Sequence, residues 1–194
     1  MDILPTATAL ILIDMQKGMN EPRLGARNNP GAESNMLRLL AAWRRSGRPV
    51  VHVRHMSRFP GSVFWPGQGG AEFQQDFEPQ PGEHVVEKNV PDAFAATGLE
   101  RWLRQRDIRD VLIAGVITNN SVESTARSAG NLGFRAVVAG DAAYTFDLRD
   151  RNGRLWPAED VHALSLANLE ADYARVLDTD QILTAAVRAG AGRG

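Results

Sequence analysis

The sequence predicts an α/β domain built on a mostly parallel sheet. Two observations carry this. Short apolar runs of strand length recur along the chain, six in all, and helical spacing separates several of them. Several of the runs are continuous rather than alternating, as expected of strands buried on both faces.

The elements follow in order. Thr8-Ala9-Leu10-Ile11-Leu12-Ile13-Asp14 reads as a buried strand with a carboxylate at its end. From about Ala32 to Ser46, Met36, Leu39, Leu40 and Trp43 form one helical face, and Gly47 and Pro49 supply the stop. Pro49 to His55 reads as the second strand. Residues 56–82 are rich in Gly, Pro and aromatics without a period; so long a connection is more often functional than idle. His84 to Lys88 reads as a short strand ending in a lysine, and Leu99 to Arg106 as a helix with Leu99, Trp102 and Leu103 on one face. Val111-Leu112-Ile113-Ala114 is the next strand, followed by a helix from Ser121 to about Leu132 and a strand from Arg135 to Ala139. A helix from Ala158 to Ala171 and a strand at Arg175-Val176-Leu177 close the pattern. Residues 1–194 read as one domain, with a frayed Gly- and Ala-rich tail over 188–194.

The composition narrows the partners. At 43% hydrophobic, 23% charged and net charge −1, the chain has no general attraction for nucleic acid or an anionic membrane. No apolar run approaches the roughly 20 residues that span a bilayer, and no signal peptide is evident, so cytoplasmic residence is expected. With no cysteine, disulfides, thiolate metal sites and a cysteine nucleophile are excluded.

In open α/β sheets ligands bind beyond the carboxyl ends of the strands. Asp14, Lys88 and Ser121 each fall at or just after such an end, so the pattern alone brings them into one candidate site. Asp14 suits a base, Lys88 a cation that orients it, and Ser121 a nucleophile at a helix N-terminus. Each has a plainer reading. A polar residue at a strand end is often merely solvated, and serine is a preferred helix N-cap.

Three ordered blocks resemble the isochorismatase-like, or cysteine hydrolase, superfamily. They are Leu10-Ile11-Leu12-Ile13-Asp14-Met15-Gln16, then Glu87-Lys88-Asn89-Val90-Pro91-Asp92-Ala93-Phe94 with Thr97-Gly98-Leu99, then Gly115 to Arg127. The later Gly133-Phe134 and Gly140-Asp141-Ala142 also fit, and the likeness runs from about Thr6 to Leu183. The resemblance implies a Rossmann-like, three-layer α/β/α fold in a homo-oligomer, a dimer or tetramer. It implies a catalytic triad of Asp14, Lys88 and Ser121. It also implies a cis peptide between Val116 and Ile117, which aims the N–H of Ile117, with that of Ser121, at an oxyanion. In most amidases of the superfamily the position of Ser121 is a cysteine.

That difference matters chemically. A cysteine thiol titrates near about 8.5 and is readily activated, whereas a serine hydroxyl needs a base as it attacks. Asp14, ordinarily near about 3.9, is a weak base, and Lys88 would depress it further. Three readings stay open: Ser121 as nucleophile; Asp14 acting directly as an acid or on water, as in the superfamily's vinyl-ether-cleaving isochorismatases; or binding without turnover. The favoured expectation is a hydrolase of small amide, ureide or related C–N substrates without an organic cofactor.

Other residues complete the candidate list. Arg54 is placed to bind a carboxylate or ureido oxygen, or else forms a surface ion pair. Phe64 and Trp65 are candidate pocket walls or loop anchors, and Asn119 and Asn120 orient substrate or serve the turn. His52 and His55 lie three apart on a strand and face opposite ways, a poor metal pair. Nicotinamidases of the superfamily bind metal through an aspartate and histidines here, but Val53-Arg54-His55-Met56-Ser57 lacks the Asp-x-His element, so no catalytic metal is expected. His84 and His162 read as surface or core residues.

Overall fold

A computed structural model of the chain describes residues 4–191, with side chains through 187. Six strands form one sheet: β1 (Ala9–Ile13), β2 (Val50–His55), β3 (His84–Lys88), β4 (Asp110–Val116), β5 (Arg135–Tyr144) and β8 (Ala174–Leu177). Their order is β3-β2-β1-β4-β5-β8, and every neighbouring pair is parallel. β6 (Leu148–Arg149) and β7 (Leu155–Trp156) form a separate antiparallel hairpin.

Alternation along each strand divides the core in two. Leu10 and Leu12 of β1 and Leu112, Ala114 and Val116 of β4 pack with α1 (Ala32–Arg45) and with Ile182 of α5 (Thr179–Ala191). The intervening Ala9, Ile11, Ile13, Val111 and Ile113 face α2 (Leu99–Arg104), α3 (Glu123–Asn131) and α4 (Ala158–Asp172). The result is three layers, α/β/α, as expected. Each strand residue buries its side chain against one helix layer or the other, which is why the strands read as unbroken apolar runs.

Strand order reverses direction between β1 and β4, leaving a crevice at their carboxyl ends. Gly115 makes this approach close. It has φ +125°, and a Cβ there would lie 2.2 Å from the carbonyl oxygen of Ile13.

Some boundaries differ from expectation. β5 runs on to Tyr144, well past Ala139. α2 stops at Arg104. α5 was not anticipated. It continues to Ala191, so the tail expected from residue 188 begins as helix, and residues 192–194 lie outside the described residues. Ser121 is not the cap of a regular helix: Thr118–Val122 form a π-helical turn ahead of α3, whose N-cap is Val122. The long connection carries short 3-10 turns at Gly69–Ala71 and Gln75–Phe77.

Candidate active site

Three strand ends meet in the crevice. Asp14 follows β1 directly and has φ 52°, which turns the chain sharply after the strand. Lys88 is the last residue of β3, and Ser121 lies in the π turn after β4. Lys88 Nζ donates to Asp14 Oδ2 at 2.7 Å and to Ser121 Oγ at 3.2 Å. All three are buried: Asp14 is 1% exposed, Lys88 2% and Ser121 6%. Oδ1 of Asp14 is buried and meets no hydrogen-bond partner among the described residues.

This burial alters the electrostatics expected of Asp14. Desolvation pushes its pKa above the usual carboxylate value, outweighing the charge and hydrogen bond of Lys88 and the nearby Ser121 hydroxyl, which pull it down. The sequence suggested that Lys88 would dominate and leave a very weak base. Burial wins instead, because almost none of the Asp14 side chain reaches the protein surface.

The peptide bond between Val116 and Ile117 is cis. Ile117 accepts from the N–H groups of Asn120 and Val122, which winds the turn tightly around Ser121. Thr118 is fully buried, and its Oγ1 lies 2.9 Å from Nδ1 of His162 on α4. Nε2 of His162 faces Asn29 Nδ2 at 3.3 Å, and that amide also donates to the carbonyls of Ala143 and Gly140. Burial lowers the pKa of His162, so the ring is held neutral. His162 is therefore not an idle core residue but a brace on the turn that carries Ser121.

His55 is a second residue that strand periodicity undervalued. It is paired in register with Lys88, and burial first, then the Lys88 charge, lower its pKa while Asp14 raises it. Its ring meets Phe64 edge-on at 6.1 Å between centroids. Phe64 thus borders the site through His55, while packing on the α1 side of the core. His52 points the other way, as expected, and bonds Glu83 at 2.8 Å.

The remaining candidates scatter. Arg54 is not at the site: it pairs with Glu87 across β2 and β3, and its guanidinium lies 5.6 Å from the Phe73 ring. The register of Arg54 opposite Glu87 explains this, since neighbouring residues of opposite charge on one face meet. Trp65 is half-buried in the loop, and its backbone N–H donates to the carbonyl of Ser62. Asn119 accepts from Thr145 Oγ1 and so fastens the turn to the residue that follows β5, whereas Asn120 is exposed beside Ser121. Among the described residues no group of three or more His, Asp or Glu side chains is placed to hold a metal ion. No helix among them is long and apolar enough to cross a membrane.

Gln16 fixes the floor of the crevice. Its amide accepts from the N–H of His55 at 2.7 Å, and donates to the carbonyls of His55 and Ala71 at 3.0 and 2.9 Å. One buried side chain thereby ties β1, β2 and the long loop together.

Comparison with known proteins gives consistent results. Residues 8–181 match the isochorismatase domain family. The chain is 37% identical over 175 residues to the isochorismatase-family protein YrdC of Bacillus subtilis, covering 90% of this chain and 94% of that one. It is 31% identical over 191 residues to Nicotinamidase 3 of Arabidopsis thaliana, covering 90% and 86%. A crystal structure of an isochorismatase-family protein from Chromobacterium violaceum superposes with a TM-score of 0.91 at 46% identity, over 94% of this chain and 95% of that one.

Proposed function

This chain belongs to the isochorismatase family of hydrolases, and from that premise we propose that it cleaves a C–N bond in a small amide or ureide using Asp14, Lys88 and Ser121. One observation carries the reading: Lys88 Nζ bridges Asp14 Oδ2 and Ser121 Oγ in a buried crevice. The similarity to a nicotinamidase favours an amide over a vinyl ether.

The chemistry runs in two stages. Ser121 Oγ attacks the substrate carbonyl while Asp14 takes its proton, forming a C–O bond and a tetrahedral oxyanion. The N–H groups of Ile117 and Ser121 stabilise that oxyanion. Asp14, now protonated, returns the proton to the departing nitrogen as the C–N bond breaks. Water then cleaves the acyl ester, with Asp14 accepting a proton from the water and passing it back to Ser121. Lys88 keeps carboxylate and hydroxyl in register throughout. The raised pKa of Asp14 makes it a better base than a free carboxylate, which partly offsets the low acidity of serine.

A second reading rests on Asp14 Oδ1. That oxygen has no partner among the described residues and is free to accept from a water or a substrate N–H, so Asp14 can drive hydrolysis directly with Ser121 only binding substrate. The whole reading is tested by ammonia release from a panel of small amides and ureides, with Asp14→Asn as control. Release that Asp14→Asn abolishes supports it. Tight ligand binding without turnover across the panel assigns the protein to ligand binding instead.

A further inference from the structure

A cavity of about 490 Å³ lies between α1 and α5. It sits at the amino ends of the strands, opposite Asp14, Lys88 and Ser121. Its wall includes Trp43, Arg45, Arg48, Leu183, Ala186 and Val187. Arg48, two residues before β2, is 9% exposed. Nη2 of Arg48 donates to the carbonyl of Ala186 at 3.0 Å, and its guanidinium carbon lies 5.1 Å from the centre of the Trp43 ring. Nη1 is buried and meets no acceptor among the described residues. No carboxylate stands among the described residues lining the cavity, and Arg45 adds a second cation at its rim.

A guanidinium stays charged in proteins, and burying it without an anion is costly. Bracing α5 requires only the bond from Nη2 to Ala186. Nη1 is left with two N–H groups and no acceptor among the described residues, beside a cavity with an apolar floor. We propose that this cavity binds a small organic carboxylate with an apolar body. The acid accepts from Nη1 and the remaining N–H of Nη2, the forked geometry in which arginine holds carboxylates. The body rests on Trp43, Leu183, Ala186 and Val187. The volume falls within the range of about 300–1,000 Å³ typical of small-molecule sites. The site is separate from the hydrolytic crevice and does not depend on the chemistry at Ser121.

Calorimetric titration with phenylacetate, and with 2-phenylethanol as the neutral counterpart, tests this. The wild-type chain is expected to bind phenylacetate at least about tenfold more tightly than the alcohol, the scale of a charge-assisted hydrogen bond. Arg48→Gln removes that preference and leaves alcohol binding unchanged. Leu183→Trp, which fills the cavity and keeps Arg48, removes binding of both; it carries the test if Arg48→Gln does not fold. The proposal is overturned by any of three results: no binding of phenylacetate at millimolar concentration, equal binding of acid and alcohol, or the acid preference surviving in either folded variant.

Discussion

The imidazole of His162, on α4, holds the hydroxyl of Thr118 at the start of the turn that presents Ser121, with 2.9 Å between Nδ1 and Oγ1. The amide of Asn29 meets the other ring nitrogen. His162→Leu leaves the buried Thr118 hydroxyl without this partner. It is expected to cost about 1–3 kcal/mol of stability, measured by urea unfolding. It is also expected to lower kcat by about tenfold or more, with little change in KM, since misplacement near the reacting atoms is expensive. His162→Asn retains a hydrogen-bonding group near the Nδ1 position and restores part of both.

Acid weakens the fold through the buried histidines. Burial lowers the pKa of His52 and His162 below the ordinary value of 6.5. The unfolded chain therefore takes up these protons first as pH falls. Their contribution to stability is complete above about 6.5 and declines as pH falls from there toward each lowered folded value. Unfolding free energies measured between pH 7.5 and 5 should fall by up to about 1.4 kcal/mol per pH unit for each such group. His162→Asn should make that slope shallower.

Asp14 sets the acid limb of activity. Because burial raises its pKa, the base form appears only at pH above the usual carboxylate range. The acid limb of kcat/KM is expected above 3.8, the ordinary aspartate value, and Asp14→Asn should reduce kcat by about 10²–10⁴-fold. An acid limb at or below 3.8 would show that Asp14 is not the group titrating.

Ser121 separates the two chemical readings. Ser121→Ala should abolish turnover and Ser121→Cys should raise it if the hydroxyl forms the acyl ester, because the thiol is the more easily ionised nucleophile. Mass spectrometry should then detect an acyl adduct on the cysteine variant. Indifference of kcat to Ser121→Ala moves the chemistry to Asp14.

Gly115 tests the packing of the crevice. Gly115→Ala must place a methyl against the Ile13 backbone, at a φ that side chains rarely adopt. The expected loss is about 3 kcal/mol or more, large for a single methyl. Thermal unfolding measures it, and an unshifted Tm would mean that β1 and β4 can separate without cost.

Much of this site was legible because its chemistry lies at strand ends. Asp14 and Lys88 terminate recognisable apolar runs, and a parallel sheet delivers all such ends to one edge. The balance at Asp14 was not legible, since it depends on how completely three elements seal the carboxylate from water. His162 carried no local signal either. It sits alone on its helix, and its partners Thr118 and Asn29 are remote in sequence. Arg54 had a usable signal, the period-two pairing of β2 with β3 that sets it against Glu87. α5 was obscured by composition: Ile182, Leu183 and Val187 are helically spaced, but the alanines and glycines around them blur the pattern.

Gln16 has a practical consequence for redesign. Its amide clamps the long connection at Ala71 and the end of β2 at His55, and the N–H of Ser57 bonds the carbonyl of Phe64. The two ends of the stretch between Ser57 and Gly70 are therefore held from outside it, while Phe64 anchors its middle against His55 and the core. A replacement of this stretch that keeps an aromatic at position 64 is therefore expected to leave the fold around Asp14, Lys88 and Ser121 in place, as thermal unfolding would check.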